Sequence, residues 1–177
     1  MLIYLIGYMG SGKTTVGRKL ARRLGYDFTD LDLMIENDYK ISIPGIFQKY
    51  DENAFRKIEH ETLKKTLSFE NTIISTGGGT PCFFNNIEMI NENGFSVYLK
   101  MSTKSLYDRL INSKKKRPLL TNKSQVNILN FIEDQLTIRE TYYQKSLVEV
   151  KGENLDLDNL VNIVKNFGDK DYRKSEE

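Results

Sequence analysis

Only one cysteine, Cys82, occurs in the 177 residues, so no intramolecular disulfide framework holds this chain and a reducing compartment suits it. An excess of charge of one sign is also missing, because 26 basic residues nearly balance 24 acidic ones. No global field therefore draws the protein to nucleic acid or to an anionic membrane. Long hydrophobic runs are absent too, and none approaches the roughly 20 apolar residues that span a bilayer. Internal repeats and linkers are lacking, and the length suits one domain with a sizeable core. The expectation is a soluble, cytoplasmic, single-domain monomer over residues 1–177, with neither nucleic-acid nor membrane partners.

What is present begins at residue 7. Gly7-Tyr8-Met9-Gly10-Ser11-Gly12-Lys13-Thr14 is a complete G-x-x-x-x-G-K-[ST] phosphate-binding loop directly behind the apolar run Leu2–Ile6. Its glycines let successive backbone N–H groups approach phosphate oxygens. Lys13 supplies positive charge to the β and γ phosphates, and the Thr14 hydroxyl can ligate Mg2+. Val16, Leu20, Ala21 and Leu24 then recur at helical spacing, so the positive end of a helix points back at the phosphates. A nucleoside triphosphate with Mg2+ is the implied ligand, its phosphates held by Gly10, Ser11, Gly12, Lys13, Thr14 and Thr15. The loop lies so near Met1 that a cleaved targeting peptide would remove it.

Strand-like runs occur at Leu2–Ile6, 27–29, Thr72–Ser75, Phe95–Lys100 and 147–150, and helical patterns follow at 52–67, 102–110, 128–142 and 157–167. This alternation predicts an α/β fold whose parallel sheet is covered on both faces, with ligands at the carboxyl ends of the strands. The polar stretch 168–177 reads as a frayed tail. Residues 113–125 carry Lys114, Lys115, Lys116 and Arg117 before Pro118, without amphipathic period. That pattern suits either a solvated face or a basic, closing lid.

Phosphate-loop proteins commonly hold magnesium with an aspartate at a strand end. Neither Thr72–Ser75 nor Phe95–Lys100 ends in an acid, which leaves Asp30-Leu31-Asp32. In extended backbone both carboxylates would project to one side, serving a metal and a substrate group. A helix cap ahead of an apolar run is the plainer alternative. The consecutive Gly77, Gly78 and Gly79 form either a simple loop or a surface that a ligand approaches closely.

Taken together these motifs resemble the shikimate kinases, small phosphate-loop proteins of the nucleoside monophosphate kinase-like group. The resemblance rests on the phosphate loop, Asp30-Leu31-Asp32, Ile46-Phe47 with Phe55-Arg56-Lys57-Ile58-Glu59, the triple glycine, Arg117-Pro118-Leu119-Leu120, and Arg139-Glu140-Thr141-Tyr142-Tyr143. It covers residues 2 to about 150. It implies ATP-dependent phosphorylation of the shikimate 3-hydroxyl, on the route to chorismate and aromatic amino acids. The implied fold is a three-layer sandwich around a five-stranded parallel sheet in the order 2-3-1-4-5, with a substrate-binding part near 31–60 and a lid near 113–125. Carried over residue by residue, Lys13, Asp32 and Arg117 would be catalytic. Asp32, Gly78 and Gly79 would meet the substrate hydroxyls, Arg56 and Arg139 its carboxylate, and Glu59 would orient Arg56. Thr14 would ligate magnesium directly and Asp30 through water, while Arg109 and Arg117 would contact ATP.

Some positions depart from that pattern or leave it open. Asp51-Glu52 stands where the family usually has Gly-Glu, and the adenine region around Arg109 and 151–155 has no sharp motif. Without the resemblance, Arg56 and Glu59 read as a surface ion pair three residues apart on a helix, and Arg139 as solvated surface. Phe47 and Phe55 suit core positions that also flank a substrate ring. His60 and Cys82 receive no role. The rivals are a gluconate or nucleoside monophosphate kinase and a nucleotide-dependent switch. For a switch, the nearest guanine-reading candidate, Asn122-Lys123-Ser124-Gln125, lacks the aspartate.

Overall fold

The computed structural model describes residues 1–113 and 125–174. Five parallel strands form one sheet: β1 (Leu2–Ile6), β2 (Asp27–Asp30), β3 (Thr72–Ser75), β4 (Phe95–Lys100) and β5 (Val148–Lys151), in the order β2-β3-β1-β4-β5. The helices are α1 (Lys13–Leu24), α2 (Leu31–Tyr39), α3 (Ile43–Lys49), α4 (Glu52–Lys65), α5 (Asn86–Asn93), α6 (Thr103–Ile111), α7 (Gln125–Tyr143) and α8 (Leu157–Lys174). Among the described residues no helix is long and apolar enough to cross a membrane.

The period-two alternation of strands divides the core in two. Ile3 and Leu5 of β1 pack with Leu20 of α1 and Leu160 and Val164 of α8. Leu2, Tyr4 and Ile6 face the other way, onto Leu63 of α4, Ile90 of α5, Leu106 of α6 and Leu136 of α7. Every residue of β1 is buried, as a central parallel strand covered on both faces requires. This is the expected three-layer sandwich. A third, smaller apolar cluster of Ile35, Ile46 and Phe55 ties α2, α3 and α4 together beyond the sheet.

Predicted and observed elements differ mainly at short helices. α3 and α5 have no counterpart in the sequence reading, and α2 appears there only as an apolar run behind a capping aspartate. α3 and α5, with seven and eight residues, complete barely two turns and so display little helical period, whereas the nine-residue α6 is legible because Leu106 and Leu110 fall four apart. The backbone of α8 also continues to Lys174, beyond the predicted end at 167. No proline interrupts that stretch, and its one glycine costs about 1 kcal/mol in a helix interior.

Candidate active site

The loop between β1 and α1 takes its shape from glycines at positive φ, with Gly10 at 85° and Gly12 at 97°. Side chains rarely adopt such angles, and a Cβ at Gly12 would also stand 3.3 Å from Arg109 Nη1. Lys13 begins α1 and is buried; its Nζ donates to Gly7 O at 2.7 Å and Tyr8 O at 3.0 Å. Arg109, in the last turn of α6, covers the loop from outside, donating from Nη1 to the carbonyls of Gly10 and Ser11 at 3.3 Å each. Ser11 Oγ is buried and has no hydrogen-bond partner among the described residues. A strand-to-helix turn with left-handed glycines, a buried ammonium and an unsatisfied hydroxyl fits a polyphosphate.

Asp30 ends β2 and caps α2. Its Oδ1 accepts the Asp32 N–H at 3.2 Å while its Oδ2 accepts the Thr14 hydroxyl at 2.8 Å. The capping and metal readings of this carboxylate are therefore compatible at one residue. Asp32 lies in the first helical turn rather than in extended backbone, which corrects the expected strand-like pairing. Both aspartates nevertheless line the same cavity. Thr14 and Asp30 offer the hard oxygen ligands that Mg2+ takes. Among the described residues no cluster of three acidic, histidine or cysteine side chains stands ready to enclose a metal. Phosphate and water oxygens would have to complete the shell, which is the usual manner of magnesium binding.

Helix α4 brings Arg56 and Glu59 one turn apart on its inner face. Asp51 starts this helix by accepting the Ala54 N–H at 2.7 Å, so the unusual Asp51-Glu52 pair serves as its N-terminal cap. Arg56 is only 7% exposed and Glu59 1%, so this is a buried ion pair rather than the surface pair that spacing alone allows. Arg56 Nη1 donates to Glu59 Oε2 at 2.8 Å, and Nη2 to Glu52 Oε1 at 2.9 Å. Phe83 lies 4.1 Å from the Arg56 guanidinium and Phe55 5.2 Å, measured to the ring centroids. The other oxygen of Glu59 accepts the Thr80 hydroxyl at 2.5 Å. A buried charge held by two carboxylates and an aromatic face has little freedom to reorient.

The triple glycine follows β3 and presses backbone against these side chains. A Cβ at Gly79 would collide with the Arg56 guanidinium, and one at Gly77 would lie 2.5 Å from Glu59 Oε1 and 3.2 Å from Asp32 Oδ1. At Gly78 it would stand 3.2 Å from Met9 N and 3.5 Å from Arg139 Nη1. Arg139 reaches the loop from α7 and lies over the Tyr8 ring, 5.4 Å from its centroid. It is part of the site wall, not of a solvated helix face.

These groups surround one cavity of about 630 Å³. It brings Lys13 and Thr14 into the same space as Asp32, Arg56, Gly79 and Arg139, with Thr15 at its edge. Phe47 and Phe55, their centroids 4.5 Å apart, form an apolar wall. Arg117 and nearly all of the predicted lid lie outside the described residues. Glu52, Phe83, Thr80 and Tyr143 were not singled out as site residues by sequence reasoning. Signals existed for three of them, since Glu52 precedes Arg56 and Tyr143 follows Arg139 by four residues on a helix and Thr80 adjoins the triple glycine, whereas Phe83 meets the site only through tertiary packing. His60 pairs with Asn86 at 2.5 Å and packs on Phe84, away from the cavity lining.

A phosphate loop behind the central strand of this sheet, opening on a cavity lined by two arginines and an aspartate, defines a phosphate-loop kinase. The shikimate kinase family profile matches residues 9–176, and the shikimate kinase of Azobacteroides pseudotrichonymphae is 47% identical over 147 residues, covering 82% of this chain and 86% of that one. The chain belongs to the shikimate kinase family and is an ATP-dependent kinase. Solved structures agree: shikimate kinase from Bacteroides thetaiotaomicron superposes with a TM-score of 0.89 at 34% identity, covering 96% of this chain and 98% of the other. Shikimate kinase from Acinetobacter baumannii in complex with shikimate gives 0.84 at 33%, over 96% and 93% of the two chains.

Proposed function

We propose that the cavity accepts shikimate and that the γ-phosphoryl group of ATP passes to its 3-hydroxyl, giving shikimate 3-phosphate and ADP for chorismate and aromatic amino acid synthesis. The observation that carries this reading is the convergence of Asp32, Arg56 and Arg139 on the cavity that contains the phosphate loop. A compact acid with three hydroxyls calls for planar cationic forks at one end and acceptors at the other.

Bound MgATP supplies the transferring group and neutralises its developing charge. Gly10, Ser11, Gly12, Lys13, Thr14 and Thr15 would hold the phosphates, and Arg109 would flank the nucleotide. Thr14 would ligate Mg2+, with Asp30 orienting the Thr14 hydroxyl and acting on the metal through water. Asp32 accepts the hydrogen bond of the 3-hydroxyl and takes its proton late in the transfer. Arg56, braced by Glu59, and Arg139 bind the carboxylate, while Gly78 and Gly79 complete the hydroxyl contacts. Positioning of this kind accounts for much of the acceleration in a loose phosphoryl transfer. Residues 113–125 act as the lid, with Arg117 reaching the phosphoryl group, and the unit near 31–60 serves as the acceptor-binding part.

A monomer is proposed because one chain supplies all the acceptor groups named above, and a cytoplasmic location because a single cysteine suits a reducing compartment. ADP release with ATP alone, and then with shikimate, gluconate or a nucleoside monophosphate added, tests the acceptor. Stimulation by shikimate alone is expected; stimulation by another acceptor in its place would overturn the reading. In the same assay Asp32→Asn should retain ATP binding and lose about 100-fold or more in turnover. Unchanged turnover would remove Asp32 from the mechanism.

A further inference from the structure

Tyr143 is the last residue of α7, one helical turn after Arg139 and on the same face. Its side chain is completely buried and packs on the Tyr98 ring at 5.1 Å between centroids. The Tyr143 hydroxyl donates to the Gly78 carbonyl. A phenol that spends its one hydrogen in this way still has lone pairs, and the Arg139 guanidinium is a charged neighbour of the same hydroxyl. Arg139 Nη1 also lies 3.5 Å from where a Gly78 Cβ would be. Burial pushes the phenol far above its ordinary ionisation range, with Arg139 opposing, so the hydroxyl remains a neutral donor. Tyr98, by contrast, directs its hydroxyl to Glu140 Oε1 at 3.2 Å.

We infer that the Tyr143 hydroxyl is a positioning group for the acceptor, fixing the Arg139 guanidinium against the Gly78 peptide. It touches neither substrate; it acts through Arg139 and the glycine loop. The inference rests on the reading of Arg139 as a carboxylate-binding residue. Without the hydroxyl, the Gly78 carbonyl loses a donor and the glycine loop beside the Arg139 guanidinium loosens, so the arginine samples orientations that do not meet a carboxylate.

Tyr143→Phe keeps the ring and its packing. Its shikimate KM should rise about tenfold, the scale of one lost hydrogen bond, with the ATP KM unaltered. Arg139→Ala should raise the shikimate KM by itself, and adding Tyr143→Phe to it should change that value by less than about twofold. Tyr98→Phe serves as the packing control and should leave the shikimate KM in place. An effect of Arg139→Ala with none of Tyr143→Phe would overturn this inference alone. So would a Tyr143→Phe effect that persists in full without Arg139, or an equal effect of Tyr98→Phe. An unaltered shikimate KM in Arg139→Ala would overturn the carboxylate reading, and this inference with it.

Discussion

Glu59 illustrates how one side chain can organise several others. One oxygen takes Arg56 and the other takes Thr80, and the carboxylate is almost wholly removed from water. Both of its oxygens are thus engaged before any ligand arrives, and Arg56 is held to one orientation. Gly79 completes the arrangement by leaving room for the guanidinium. Gly79 has φ −97°, which alanine adopts without strain, so Gly79→Ala tests the space alone. The added methyl group should displace Arg56 and raise the shikimate KM about tenfold or more, the scale of one hydrogen bond to a charged group. The ATP KM should stay constant in the same titration. Residue identities of this kind were legible in the sequence, since Arg56, Glu59 and the glycines form recognisable patterns. Burial of the ion pair was not, because a spacing of three on a helix is the same for a solvated pair.

At the level of elements, α4 carries Arg56 and Glu59 and depends on its first turn. Asp51 caps it, and Glu52 in that turn both suits the positive helix end and holds Arg56. Asp51→Ala should cost about 1 kcal/mol, which for a chain of this size lowers Tm by about 2–4 °C. Its shikimate KM should change little, since Arg56 keeps both carboxylates; thermal melts and initial rates check the two halves separately. The strands of the sheet and the long helices were legible because their hydrophobic periods run for several turns or residues. The short helices α2, α3 and α5 were not. Their role is nonetheless large, since the cluster of Ile35, Ile46 and Phe55 sets the acceptor wall beside the sheet.

Across the whole molecule, burial of phenols gives stability a predictable alkaline limit. Tyr4, Tyr8, Tyr98 and Tyr143 all titrate above their ordinary value of 10.0, each chiefly because burial disfavours the phenolate. Tyr8 is pushed up to about 12, and burial raises the Cys82 thiol from 9.0 to about 11. The folded chain therefore keeps protons that the unfolded chain has released. Stability should be full below pH 9 and fall progressively as pH rises toward about 12, through the raised values. Denaturation midpoints measured across that range test this; a flat profile would show that these groups ionise alike in both states. The sequence by itself determined the donor half of the site, because a phosphate loop is contiguous and is built from the backbone of a single strand-to-helix turn. It also determined that the sheet is parallel, through short apolar runs alternating with helical patterns. Only the tertiary structure decided the acceptor half. Arg56, Gly78 and Arg139 come from three distant segments, and the cavity between them exists only once the helices have packed across the sheet.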